Sequence, residues 1–160
     1  MAYKRVINTT HRKMGMEYRA IDIAKYIVDK CMQQRRPITN LQLQKILYYV
    51  QINFIRLLDY PAFGENIEAW QYGPVVPDVY YEYADCGGTE IYRMYEGIDR
   101  LFQKVNEQKI VDKVIMLCLR LSPWELVERT HKDNTPWSKV YRTGFRNVIP
   151  YEYLYEYAKG

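Results

Sequence analysis

The stretch from Thr39 to Leu57 constrains the fold more than any other part of the sequence. Thr39, followed three residues later by Gln42, has the pattern of a capping box, which marks the start of a helix. Apolar residues then recur at helical spacing and form a single stripe along this helix. The stripe consists of Leu43, Ile46, Leu47, Val50, Phe54 and Leu57. We therefore expect this helix to lie at the centre of the core.

Further helices are predicted by apolar periodicity and by start and stop signals. Ser122, Pro123 and Glu125 provide an N-cap residue, a proline in the first turn and a glutamate at the third position. Thr135 before Pro136 repeats this arrangement. Residues 89–105 show no clear pattern, and the tyrosines after residue 149 also alternate as they would in a strand. The predicted helices span residues 19–34, 77–84, 107–121, 122–129, 135–144 and 149–159.

A small β element is predicted before Gly73 and Pro74, which mark a change of backbone direction. Residues 62–72 alternate in polarity and are rich in aromatic side chains, as short strands are. The chain has 160 residues, of which 48% are hydrophobic, so it can bury one core and is unlike a disordered segment. We predict a mainly α (α+β) fold, a compact single-domain helical bundle with a small antiparallel β element around residues 62–72.

Positive charge is concentrated at the N-terminus. Residues 1–36 contain nine Lys/Arg and three Asp/Glu, whereas residues 37–160 contain 14 Lys/Arg and 16 Asp/Glu. Because residues 1–17 lack apolar periodicity, we predict a flexible basic arm at 1–17 and one domain at 18–160. Such an arm can meet nucleic acid or an acidic partner. No basic and aromatic platform accompanies it, so nucleic acid is the weaker expectation.

The cysteines and the hydropathy favour a cytoplasmic protein. Cys31, Cys86 and Cys118 are widely spaced and odd in number, and no signal peptide precedes them, which indicates a reducing compartment. Cys31 and Cys118 fall at apolar helix positions, where a thiol usually acts as a small core residue. No apolar run approaches the ~18 residues that a membrane span requires.

The sequence contains no arrangement typical of an enzyme. Its two histidines are His11, in the predicted arm, and His131, between two predicted helices. No spacing of Cys or His residues suggests a metal site, and nothing places His131 beside a cysteine nucleophile. Gly87 and Gly88 follow a helix instead of opening one, so they do not form a phosphate loop. We expect no catalytic residues and no cofactor, and we expect the ring nitrogens of His131 to hold the turn before Trp137.

Three motifs in this order resemble those of the Panacea domain family, also called the SocA-like antitoxin or phage-associated GepA-like domain. The resemblance covers roughly residues 18–158. The first motif lies in the central predicted helix, the second at residues 66–76, and the third at residues 130–137. The matching positions are Leu41, Leu43, Gln44, Lys45, Leu47, Tyr48, Tyr49, Ala69, Trp70, Tyr72, Gly73, Pro74, Val75, His131, Pro136 and Trp137.

This resemblance implies a protein-binding module whose motif residues mainly define the scaffold. It implies the antitoxin of a type II toxin–antitoxin system, which neutralises its toxin directly or delivers it to a cytoplasmic protease. An alternative is a phage-encoded inhibitor of a host defence protein, since many relatives are carried by prophages. A small nucleic-acid-binding regulator is a third hypothesis. The expected partner is a protein, with no small-molecule substrate and no membrane.

Tyrosine is a candidate for the partner surface, because the chain has 17 of them and their rings suit half-buried interfaces. The alternative is that these rings only shield a thin core. Tyrosines 80, 81 and 83 cannot all face one side of a helix. The predicted partner-binding residues are Tyr81, Tyr83, Tyr155, Tyr157 and Trp70. Trp70 suits core and surface equally, whereas Trp124 and Trp137, just inside helix starts, are expected in the core.

Overall fold

The computed structural model describes residues 18–160, so the predicted basic arm lies outside the described residues. This part is mainly helical and contains one three-stranded antiparallel sheet. The helices are α1 (Ala20–Gln33), α2 (Asn40–Leu58), α3 (Pro77–Glu82), α4 (Val105–Leu119), α5 (Pro123–Thr130), α6 (Pro136–Val140) and α7 (Tyr151–Lys159). The strands are β1 (Glu68–Trp70), β2 (Gly73–Val75) and β3 (Asn147–Val148). The fold class is therefore confirmed.

Helix α2 is the centre of the core, as its sequence predicts. Its start is fixed by the capping box, in which the Gln42 N–H donates to Thr39 Oγ1 at 3.2 Å and the Thr39 N–H donates to Gln42 Oε1 at 2.9 Å. Helices α1, α4, α5 and α7 and strand β2 all pack against α2. Of the predicted stripe only Leu57, in the last turn, is exposed, because its side chain turns away from these elements.

The sheet spans different residues from those predicted. Trp70 pairs with Gly73, so β1 and β2 form a hairpin with Gln71 and Tyr72 in its turn, and strand β2 lies beyond the expected end of the β element. Pro74 is accommodated in β2 because β2 is an edge strand of the order β2-β1-β3, where a missing N–H is tolerated. Strand β3 was not predicted, since two residues are too few to show alternation.

The other helices follow their start signals closely and their stop signals less well. Ser122 forms a second full capping box, and Thr135 Oγ1 accepts the N–H of Ser138 at 3.3 Å. Helix α6 ends at Val140 and not at Gly144, because Tyr141 already has an extended backbone. The C-terminal segment is helical, as predicted. None of the described helices is both long and apolar enough to cross a membrane.

Candidate partner-binding site

The first and second motifs meet along one side of α2. Lys45 is fully buried there, and its Nζ donates to the carbonyl oxygen of Pro74 at 3.1 Å. The neighbouring Gln44 accepts the N–H of Val76 on its Oε1 at 2.9 Å. Two consecutive side chains of α2 therefore satisfy backbone groups at β2 and its end, and they hold the hairpin onto the helix.

Gly73 is required by this contact. Its φ of +117° is rare for residues with a side chain. A Cβ on Gly73 would also lie 2.5 Å from Lys45 Cε and 2.9 Å from Thr130 Oγ1, which is closer than real contacts allow. The glycine thus lets the hairpin approach both α2 and the end of α5.

The third motif fastens the other strand of the hairpin. The His131 ring stacks on Trp137 at 3.8 Å between centroids, with an interplanar angle of 5°. Trp137 in turn stacks on Tyr141 and donates its Nε1–H to the carbonyl oxygen of Trp70 at 2.7 Å. All three motifs therefore meet at the β1–β2 hairpin and form a single unit that is mostly buried.

The expected role of the His131 nitrogens is not what the structure shows. Nε2 of His131 is buried and has no hydrogen-bond partner among the described residues. The turn before Trp137 is held instead by Thr135, whose hydroxyl donates to the carbonyl oxygens of Thr130 at 2.9 Å and Lys132 at 2.7 Å. His131 contributes through its stacked ring.

Burial shifts the pKa values of Lys45 and His131 in this unit and of two cysteines elsewhere in the core. The pKa of Lys45 is lowered to about 7 because its ammonium group is removed from water. Burial also lowers the pKa of His131, and the nearby Lys45 lowers it further. Burial raises the pKa of Cys31 and that of Cys118 to about 12, which keeps both thiols protonated near neutral pH.

The described residues contain no group of three or more His, Cys, Asp or Glu side chains arranged to hold a metal ion. Tyr48, another motif residue, is buried with a hydroxyl that has no described hydrogen-bond partner. The motif positions thus combine packing, stacking and backbone contacts. What this arrangement does is fix the hairpin in place and so define the surface around it.

A cluster of polar and aromatic residues surrounds Trp70 on the outer side of the hairpin. Trp70 is 9% exposed and packs edge-on against Tyr80, while its Nε1–H donates to Glu68 Oε1 at 2.9 Å. The Arg146 guanidinium lies 3.7 Å from the centroid of the Trp70 ring, and its Nη1 donates to the Tyr81 hydroxyl at 3.1 Å. We refer to Glu68, Trp70, Tyr80, Tyr81 and Arg146 as the Trp70 cluster.

A second exposed aromatic contact lies at the hairpin turn. Tyr72 is 50% exposed and Trp124 is 58% exposed, and their rings meet edge-on with centroids 6.3 Å apart. The expectation that Trp124 belongs to the core is wrong, because it is largely exposed and its ring packs against Tyr72 in the hairpin turn. Trp137 is 9% exposed and does belong to the core.

The predicted partner-binding residues do not share one surface. Tyr83 is fully buried, and its hydroxyl is hydrogen bonded to that of Tyr95, which removes it from any partner surface of this structure. Tyr81 is 59% exposed and belongs to the Trp70 cluster. Tyr155 and Tyr157 are 39% and 37% exposed.

Helix α2 separates these exposed tyrosines. Asn40, in its first turn, donates to the backbone of Tyr80, whereas Asp59, just after its last turn, accepts a hydrogen bond from Tyr155. A helix of 19 residues is about 28 Å long. Tyr81 and Tyr155 therefore lie near opposite ends of α2 and represent two separate candidate surfaces. Arg146 was not predicted from the sequence, where the only indication of it is the series of basic residues that begins at Lys139.

Comparisons with known proteins agree with this arrangement. The model of the family "Antitoxin SocA-like, Panacea domain" matches residues 43–138, which is more than half of the chain and includes nearly all the motif positions. Antitoxin SocA of Caulobacter vibrioides (strain NA1000 / CB15N) is 28% identical over an alignment of 127 residues that covers 74% of this chain and 68% of that protein. No solved structure matches the chain. The chain belongs to the SocA-like antitoxin, Panacea domain family.

Proposed function

We propose that this chain is the antitoxin of a type II toxin–antitoxin pair and that it acts in the cytoplasm by binding a protein toxin. Its family membership carries this proposal, together with its similarity to a protein described as an antitoxin. The burial of most of the motif residues supports a scaffold role for them. A scaffold that leaves its outer surface free to vary suits proteins that recognise different partners.

The Trp70 cluster is our first candidate for the toxin-binding surface. It combines exposed Tyr81 with Arg146 and Trp70, residue types that are enriched among the energetically dominant residues of interfaces. The rings and the guanidinium already contact one another, so little side-chain freedom would be lost on binding. The second candidate surface, Tyr155 and Tyr157 on α7, has only its exposed rings in its favour.

Co-expression tests the proposed function. Each gene that flanks the gene of this chain should be expressed alone in a bacterial host and then together with it. We expect one neighbour to stop growth and co-expression of this chain to restore it. If no flanking gene stops growth, or if this chain does not relieve the growth arrest, the proposed antitoxin function is contradicted. A phage early-gene location with a host protein as the captured partner would favour the inhibitor of host defence instead.

An antitoxin of this family can neutralise its toxin in two ways, by direct inhibition or by delivery to a protease. We propose direct inhibition, because the hairpin presents a pre-formed surface and the proposal then needs no third protein. The purified toxin should lose its activity on addition of an equal amount of this chain, without any protease. If rescue in cells requires a cytoplasmic protease and the purified pair shows no inhibition, the delivery mode replaces this one.

The location of the toxin-binding surface requires matched substitutions. Tyr81→Ala should abolish rescue while leaving the melting temperature nearly unchanged, because the Tyr81 ring is largely exposed. The matched variant Tyr155→Ala removes a ring of the same size near the other end of α2 and should preserve rescue. Loss of rescue in Tyr155→Ala alone would place the toxin on α7. Full rescue by both variants would show that neither ring is needed for toxin binding.

A further inference from the structure

Positive charge is concentrated in the sequence that leads up to Arg146 of the Trp70 cluster. Between residues 129 and 146 the sequence has five Lys/Arg, and Asp133 is the only acidic residue among them. No described carboxylate forms a salt bridge with any of these five cations, although salt bridges occur elsewhere in the described chain. The basic residues are Arg129, Lys132, Lys139, Arg142 and Arg146.

Of these cations, Arg146 has the most described side-chain contacts. Its guanidinium is held over the Trp70 ring at 3.7 Å and is also bound to the Tyr81 hydroxyl at 3.1 Å. A guanidinium has five N–H donors in a planar fork, so most of its donors stay available to a carboxylate. Because its aromatic partners already fix its position, a carboxylate can bind it at little further cost in conformational entropy.

Apolar side chains lie directly beside this cation. Phe145, the preceding residue, is 65% exposed, and Tyr81 is 59% exposed. Phe145 belongs to a turn in which its N–H donates to the carbonyl oxygen of Arg142 at 3.0 Å, which places a second cation in the same turn. The turn thus offers two guanidinium groups and the exposed Phe145 ring, and Tyr81 of α3 adds a second exposed ring at Arg146.

We propose that the Trp70 cluster and the 142–146 turn bind an acidic segment of the partner protein. In this complex a carboxylate of the segment binds Arg146, and a neighbouring apolar side chain packs on Tyr81 and Phe145. Charge complementarity favours this occupant, since neither Arg142 nor Arg146 forms a salt bridge with a described carboxylate. The inference rests on the proposed function and specifies the chemistry of the toxin segment.

A nucleic acid fits this surface less well than an acidic protein segment. Glu68 places a carboxylate in the cluster, where it accepts a hydrogen bond from Trp70, and a continuous phosphate backbone would be repelled by it. The Trp70 ring is covered by Arg146 and is only 9% exposed, so it offers no open face for a base to stack on. Separate carboxylates on a protein segment can avoid Glu68.

Selection from a random library of twelve-residue peptides tests this inference without the toxin. The library should be selected in parallel on the wild-type chain, on Arg146→Gln, on Arg142→Gln and on Arg100→Gln. Arg100 is an exposed arginine that has no described contact with the Trp70 cluster, so its variant removes the same charge elsewhere. Thermal melts should accompany each variant, and Arg142 can be replaced without disturbing the ring of Trp70.

We expect peptides selected on the wild type to be enriched in Asp and Glu beside apolar residues. A selected peptide should bind Arg146→Gln about tenfold more weakly or worse, and Arg100→Gln should bind it like the wild type. Absence of acidic enrichment, or equal losses in the Arg100 and Arg146 variants, would overturn the proposal. Tighter binding of a twelve-nucleotide single-stranded DNA than of any peptide, with the same dependence on Arg146, would assign the surface to nucleic acid. None of these outcomes depends on toxin rescue, so the proposed function is tested separately.

Discussion

The indole N–H of Trp137 donates to the backbone carbonyl oxygen of Trp70 at 2.7 Å, across 67 positions of the chain. This bond joins the third motif to the second, just as Lys45 joins the first motif to the second through Pro74. The β1–β2 hairpin is therefore fixed from both sides by residues that are distant in sequence. In this chain the three motifs fix the position of the hairpin, and with it the position of the Trp70 cluster.

Trp137→Phe should test the link between the third motif and the hairpin. Phenylalanine keeps an aromatic ring for stacking but leaves the buried carbonyl oxygen of Trp70 without its donor, which should cost about 1–3 kcal/mol of unfolding free energy. Urea unfolding measures this cost. The matched variant Trp124→Phe, at an exposed tryptophan, should change stability by no more than about 0.5 kcal/mol. Equal effects of the two substitutions would contradict the assigned role of Trp137.

Gly73→Ala should destabilise the protein by roughly 2–5 kcal/mol, because it combines a strained backbone angle with overpacking. The added methyl group would clash with Lys45 and Thr130. Gly88→Ala is the control, since a Cβ on Gly88 meets nothing within 4 Å. A melting temperature of Gly73→Ala close to that of the control would show that the hairpin does not approach α2 as described.

Lys45 should make stability rise with pH between about pH 7 and 8.5. Its pKa falls from 10.5 in the unfolded chain to about 7 in the folded protein, so the unfolded state binds more protons in this window. The expected slope is at most about 1.4 kcal/mol per pH unit. The pKa of His131 is lowered from 6.5, so His131 affects the pH dependence of stability only below this window. Ionisation of Cys31 and Cys118 in the unfolded chain makes stability fall with pH above about pH 9.

Chemical unfolding at several pH values, with Lys45→Met as the comparison, measures this dependence. Methionine retains an unbranched side chain but cannot be charged, so the slope between pH 7 and 8.5 should flatten. If the wild type and Lys45→Met show the same slope, Lys45 does not carry the effect.

Thr39→Ala should lower the free energy of unfolding by about 1 kcal/mol, the typical cost of a lost N-cap. The substitution removes the acceptor for the N–H of Gln42 at the start of the central helix. Denaturation midpoints of Thr39→Ala and of Thr143→Ala, an exposed threonine outside the helices, should be compared. A midpoint that changes no more in the first variant than in the second would show that the cap contributes nothing.

Local signals were readable from the sequence because they depend on residues a few positions apart. The capping boxes at Thr39 and Ser122 are examples, since each joins an N-cap to the third residue of its helix. The apolar stripe of α2 is another. Strand β3, in contrast, exists only because its two residues pair with β1, and nothing near them in the sequence indicates that pairing.

The candidate site was less predictable because it depends on what covers each side chain. Tyr83 was expected at a partner surface, but Tyr95 and Arg93 cover it, and both belong to the segment 89–105 that shows no clear pattern. The position of Arg146 over Trp70 likewise depends on how the chain after α6 returns to the sheet. The motifs identified the family, whereas the surface required the fold.

The proposal is tested most directly by measuring the binding of this chain to the protein encoded by the flanking gene that stops growth. Isothermal titration calorimetry of the two purified proteins, in the absence of any protease, should show stoichiometric binding at micromolar concentrations or below. Tyr81→Ala and Arg146→Gln should weaken this binding, and Tyr155→Ala should leave it unchanged. If the two purified proteins are correctly folded and do not bind each other, although this chain rescues growth in cells, direct neutralisation by this chain is contradicted.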